Sequence, residues 1–182
     1  MRQEIRISGF GGQGVALAGM VLGRALVLYE GMEAVLTQSY GPEARGGASS
    51  ANLVVSDEPI DYPFVQRPDV LIAMSQEAYT TFRPTARPEA IILVDDDLVQ
   101  PADGDCPHGI PATRLAEELG HRVVANIVML GFLVGVTGLA RRESVEEAIR
   151  ASVRPRTLDL NLRALAVGLE HAMAIISGGS RP

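Results

Sequence analysis

Lysine is absent from this chain of 182 residues, and all 16 basic side chains are arginine. That removes a P-loop lysine, a Schiff base to a carbonyl and a lysine nucleophile. Tryptophan is absent as well, and with four Phe and four Tyr the core falls to Val, Leu, Ile and Ala. Cysteine occurs once, as Cys106 in the loop PADGDCPHGIP. One thiol cannot close an internal disulfide, complete a zinc site or hold an iron–sulfur cluster. His108, His121 and His171 are scattered, with no i, i+4 partner and no neighbouring carboxylate pair. No G-x-S-x-G elbow or Cys/His pair points to a self-contained hydrolase. An excess of positive charge is also missing: the net charge is −6 and the pI about 5.1, which gives no basic field for nucleic acid or anionic lipid. The chain opens Met1-Arg2-Gln3-Glu4 without an apolar leader, so a reducing cytoplasm is the expected location.

What is present reads as one α/β domain over residues 1–176, with a frayed tail at 177–182. Its opening carries the strongest local signal. Residues 4–8 alternate as a strand, a glycine turn follows, and a helix is expected from about Gln13. Gly9, Gly11 and Gly14 fit G-x-G-x-x-G, and Gly12 adds a fourth glycine. Such a turn bends sharply, admits a ligand where a Cβ would block it, and aims helix N–H groups at an anion, most often a phosphate. A tight structural turn is the alternative. A dinucleotide site would want an acidic residue closing the second strand. That strand, residues 34–38, ends in Gln38 and Ser39, and Glu33 sits at its start.

The segment SYGPEARGG, residues 39–47, continues neither strand nor helix, because Gly41-Pro42 and Gly46-Gly47 break both. If residues 34–38 form a second parallel strand, the segment leaves its C-terminal end, where open α/β sheets bind ligands. It would then share a crevice with the glycine turn. Arg45 offers a fork of donors to a phosphate, a carboxylate or a partner's acid, or else pairs with Glu43.

Farther on, strands are expected at 48–56, 70–74 and 91–94, with Ser75 capping a short helix at 76–82. The proline-bearing stretch 59–68 reads as an extended excursion. Asp95-Asp96-Asp97 could hold Mg²⁺ beside a phosphate, but a strand end capping the next turn is the commoner use, and no metal site is assigned. The last third reads as helix at 112–119, 123–139, 145–153 and 158–176. Residues 123–140 carry no charge and reach the length of a membrane span, yet Asn126, Thr137 and three glycines favour a buried helix. Gly131-x-x-x-Gly135 allows close backbone approach. Asn126 either reaches the ligand crevice or caps its helix.

In order and spacing, GFGGQGV, SYGPEARGG, SDEPIDYP, DVLIAMSQEAY and RVVANIVMLGFL resemble the gamma subunit of 2-oxoacid:ferredoxin oxidoreductases. The chain departs from that pattern at Arg87-Pro88-Glu89-Ala90, in a turn away from the expected site. The resemblance implies a three-layer α/β/α, Rossmann-like fold with a mostly parallel sheet and a helical C-terminal part. It implies a role in oxidative decarboxylation of a 2-oxoacid to an acyl-CoA. Thiamine diphosphate and iron–sulfur clusters would sit in alpha, beta and delta subunits, and ferredoxin would be reached through the complex. This chain would close the coenzyme A side, with no catalytic residue, nucleic-acid partner or membrane span of its own, and its apolar helices leave room for contact between two copies. The expected coenzyme-binding residues are Gly9, Gly11, Gly12, Gln13, Gly14, Ser39, Tyr40, Gly41, Arg45, Gly46, Gly47 and Asn126. Two other readings stay open: a free-standing phosphate-binding module or small reductase, and an assembly chain whose glycine turn is empty. The sequence leaves the identity of the 2-oxoacid open.

Overall fold

The computed structural model describes residues 1–39 and 47–178. Six strands form one sheet: β1 (Arg2–Phe10), β2 (Glu33–Ser39), β3 (Ala48–Ser56), β4 (Val70–Ala73), β5 (Ile91–Asp95) and β6 (His108–Ile110). Their order is β2-β3-β1-β4-β5-β6. The helices are α1 (Val15–Tyr29), α2 (Gln76–Phe82), α3 (Ala112–Glu118), α4 (Ala125–Thr137), α5 (Arg142–Ser152) and α6 (Leu158–Gly178).

The sheet is parallel from β1 through β4 and β5 to β6, while β3 runs antiparallel to both β1 and β2. This corrects the expectation of consecutive βα units. The link between β2 and β3, residues 40–47, is shorter than the dozen or so residues that a parallel crossover needs. Because β3 reverses twice, β2 still points the same way as β1. Phe10 pairs with Ala48, and Ser39 with Ser50, which is in turn the partner of Ser8. The glycine turn and both flanks of the 40–46 segment therefore lie at one edge of the sheet. Strand β6 was not expected: three residues, His-Gly-Ile, are too few for alternation to show.

The two faces of the sheet are covered unequally. Ile5, Ile7, Val70, Ile72 and Leu93 face a large core built with α1, α3, α4, α5 and α6. On the other face Leu71, Ala73, Ile92 and Val94 pack against Tyr79 of α2. Both faces of β4 are thus apolar, as a central parallel strand requires. Beside it, β1 and β3 turn polar side chains to that second face. Arg6 donates from Nε to Asn52 Oδ1 at 2.6 Å and from Nη1 to Thr85 Oγ1 at 2.9 Å, and its guanidinium lies 4.9 Å from the Phe82 ring centroid.

Glu4 fastens the proline-bearing excursion to the same face. Only 4% exposed, it accepts from Gln66 N at 2.8 Å, Arg67 N at 2.9 Å and Arg2 Nη1 at 2.7 Å. Burial alone would raise its pKa. The bonds from Arg2, Arg67 and Gln66 outweigh burial and hold the carboxyl below its usual value.

Helix α4 is apolar on every side and buried from Ala125 to Val134. It ends where Gly138 takes a left-handed φ of 63°. The one-turn 3-10 helix Arg122–Val124 precedes it, so the α-helix begins later than the apolar run suggests. Glycines set its crossing with α6: a Cβ on Gly131 would strike the Leu165 carbonyl, and one on Gly168 would lie 2.7 Å from Phe132 N. The expected close approach at Gly131-x-x-x-Gly135 is thus made against α6. Among the described residues one helical stretch, Pro155–Gly178, is long and apolar enough to cross a membrane by length and composition.

Two predictions follow from these contacts. Gly168→Ala forces α4 and α6 apart and lowers stability by about 3 kcal/mol in chemical denaturation. Gly23→Ala, whose Cβ meets only Leu53 Cδ2 at 3.6 Å, serves as the tolerated control. Equal stabilities for the two variants would overturn this account of the crossing. Glu4→Gln costs about 2 kcal/mol at neutral pH. A depressed folded-state pKa gives stability that is present above the ordinary glutamate value and lost as pH falls through the folded one. The deficit of Glu4→Gln against wild type therefore shrinks below about pH 4, and a pH-independent deficit would refute the role of the charge.

Candidate functional site

The glycine turn joins β1 to α1 at the C-terminal edge of the sheet, and its shape is fixed by two amides. Gln13 Oε1 accepts from Phe10 N at 2.6 Å, while its Nε2 donates to the carbonyl of Met74, at the end of β4, at 2.9 Å. Gln13 N also donates to Phe10 O at 3.2 Å, which closes the turn and delays α1 to Val15. On the other side Asn126 Nδ2 donates to Gly14 O at 3.0 Å, and its Oδ1 accepts from Ile127 N at 2.9 Å. Both expected side chains therefore stand at the turn with their amides engaged inside the chain.

The glycines divide by role. Gly14 has a left-handed φ of 76°, and a Cβ there would run into Asn126. At Gly9 a Cβ would press on Met74 Cβ at 3.2 Å. Gly12 is also left-handed, at φ 93°. Gly11 differs from all three: nothing stands within 4 Å of where its Cβ would be, and its φ is not positive. Neither packing nor backbone conformation within the described chain requires glycine at that position. Among the described residues no side chain caps helix α1, and its first turn carries no acid, so nothing there takes up its leading N–H groups or opposes their dipole.

A crevice of about 250 Å³ opens beside this turn, lined by Gly12, Gln13, Met74, Thr113, His121, Arg122, Val123 and Ala125. It thus lies between the ends of β1 and β4, which is the ligand position of open parallel sheets. Arg122 supplies positive charge there. In the sequence Arg122 stood out only as the first residue of RVVANIVMLGFL, although a cation four residues ahead of Asn126 was the available signal. Of the other expected residues, Ser39 is exposed at the end of β2 and Gly47 directly precedes β3. Tyr40, Gly41, Arg45 and Gly46 lie outside the described residues.

Asp95 caps α3 beneath the crevice. It is fully buried and accepts from Thr113 Oγ1 at 2.6 Å and Thr113 N at 2.9 Å. Burial pushes its carboxyl up, and the Thr113 bonds oppose that shift. The carboxylates of Asp95, Asp96 and Asp97 lie within 4.8 Å of one another, with Asp97 also paired to Arg114 at 3.2 Å. Asp95 Oδ1 also accepts from Asp97 N at 3.3 Å, which caps the turn that follows β5.

The geometry has counterparts in known proteins. The sequence pattern of the pyruvate ferredoxin/flavodoxin oxidoreductase family matches residues 4–171. The chain is 51% identical over 177 residues to the 2-oxoglutarate synthase subunit KorC of Methanocaldococcus jannaschii, covering 94% of this chain and 95% of that one. The gamma subunit of a keto/oxoacid ferredoxin oxidoreductase from Geobacter sulfurreducens superposes with a TM-score of 0.86 at 38% identity, over 96% of this chain and 98% of that one. A 2-oxoglutarate:ferredoxin oxidoreductase from Magnetococcus marinus, solved with 2-oxoglutarate, coenzyme A and succinyl-CoA bound, shares the fold at a TM-score of 0.84 and 23% identity, over 95% of this chain and 31% of that one. Since the family pattern runs from β1 into the last turns of α6, the chain belongs to the pyruvate ferredoxin/flavodoxin oxidoreductase family, as the gamma subunit of a 2-oxoacid:ferredoxin oxidoreductase.

Proposed function

We propose that this chain forms the coenzyme A side of the active site in a cytoplasmic 2-oxoglutarate:ferredoxin oxidoreductase, bound to alpha, beta and delta subunits. The 2-oxoacid is inferred from the identity to KorC. The observation that carries the coenzyme assignment is Gly11: a glycine that the described chain does not itself require, beside an uncapped helix N-terminus and a crevice holding Arg122. Free backbone N–H groups and one guanidinium suit the phosphates of the coenzyme. Coenzyme A would bring the thiol that takes up the acyl group. The residues of this chain bind and orient: the turn N–H groups and Arg122 hold phosphate oxygens, with Arg45 as a second cation, while Gln13 and Asn126 keep the turn rigid. An iron–sulfur cluster does not fit this chain, whose single Cys106 is exposed with no second thiol to join it. Ferredoxin would therefore be reduced elsewhere in the complex.

A free-standing dinucleotide reductase is the weaker reading, because β2 ends in Gln38 and Ser39, where an acid would hold the ribose. An assembly chain with an empty turn is separated by mutation. In the purified multi-subunit enzyme, Gly11→Ala should raise the apparent KM for coenzyme A about tenfold while the thermal midpoint stays unchanged, because the added methyl enters ligand space. Arg122→Ala and Arg45→Ala should weaken coenzyme A in the same assay without altering the KM for 2-oxoglutarate. Unchanged coenzyme affinity in all three variants would leave the turn with a structural role only.

A further inference from the structure

A second cavity, of about 350 Å³, adjoins the crevice and shares His121 and Val123 with it. Leu17 of α1, Val124, Val153 at the end of α5 and Leu160 of α6 wall it with aliphatic carbon. Its size sits near the lower bound of ligand pockets, roughly 300–1,000 Å³, enough for one ring. Asn161 also lines it, at 6% exposure. Its Nδ2 donates to Thr157 O at 2.8 Å, which fixes the orientation of the amide and leaves Oδ1 as an acceptor with no bond among the described residues. An apolar slot containing one unused acceptor favours a ring that carries a single donor.

The mouth shows what carries that ring. Val123 stands there 58% exposed, and the exposed Arg154 borders it, with Arg122 next along the chain. These cations belong to a protein of net charge −6, so the mouth is locally opposite in sign to the whole. A small ligand filling the slot would leave Val123 in water, whereas a protein surface would cover it. A pocket inside an apolar rim with charge outside has the anatomy of an interface anchor site.

We propose that the slot seats a tyrosine-class side chain from a neighbouring subunit, its hydroxyl donating to Asn161 Oδ1 and an acidic residue beside it meeting Arg154. The proposal rests on the gamma-subunit reading for the existence of that neighbour. The slot shares Val123 and His121 with the crevice but does not need the coenzyme to be bound there.

Para-cresol and toluene serve as probes on the full chain, followed through the Asn161 side-chain amide by NMR. Para-cresol should bind about fivefold more tightly than toluene, and Asn161→Leu should erase the difference. Equal binding of the two probes overturns the proposal, as does displacement of para-cresol by coenzyme A, which would assign the slot to the coenzyme. Should Asn161→Leu misfold, Val153→Phe fills the slot from its edge and should abolish para-cresol binding. In the co-expressed complex, Val153→Phe and Arg154→Glu should each raise the dissociation constant of this chain about tenfold on dilution. Unchanged dissociation sinks the anchor alone, while a wild-type chain that co-purifies with no other subunit sinks the gamma-subunit reading as well.

Discussion

The site depends on a pair of amide clamps. Gln13 ties the glycine turn to the end of β4, and Asn126 ties Gly14 to the start of α4. A turn made mostly of glycine has the largest conformational entropy to lose on ordering. Here two carboxamides, each engaged at both ends, hold it in one shape. Outward N–H groups are useful to an anion only when they are already aimed, so these bonds convert a flexible sequence into a preorganised one.

The remaining architecture positions those clamps. Strand β4 must sit beside β1 for Met74 to receive Gln13, and the apolar faces of β4 fix it at the centre of the sheet. Helix α4 must lie deep enough for Asn126 to reach Gly14, and its glycine crossing with α6 brings the outer helix down upon it. The polar side of β1 and β3 is stabilised differently, by Arg6 and Glu4 acting on the loops that cover it.

Much of this was legible in the sequence where the cause is local. Strand β3 and helix α2 with its Ser75 cap stand at the bounds expected of them. The glycine turn was recognisable because its left-handed positions admit little else. The reversal at β3 was missed, although its short link from β2 held the answer. The partners of Gln13 and Asn126 were out of reach for another reason: hydrogen bonds to Met74 and Gly14 join distant parts of the chain and leave no periodicity to detect. The crevice is likewise assembled from β1, β4 and the α3–α4 junction, so Arg122 gained its position only through the tertiary fold.

The clamps also bear on the order of biosynthesis. The turn leaves the ribosome before both of its fasteners, the Met74 carbonyl and the Asn126 amide, which lie far downstream. The nascent segment must stay unfastened until α4 has been made, so truncated products that end before α4 lack a finished turn to present to sister subunits.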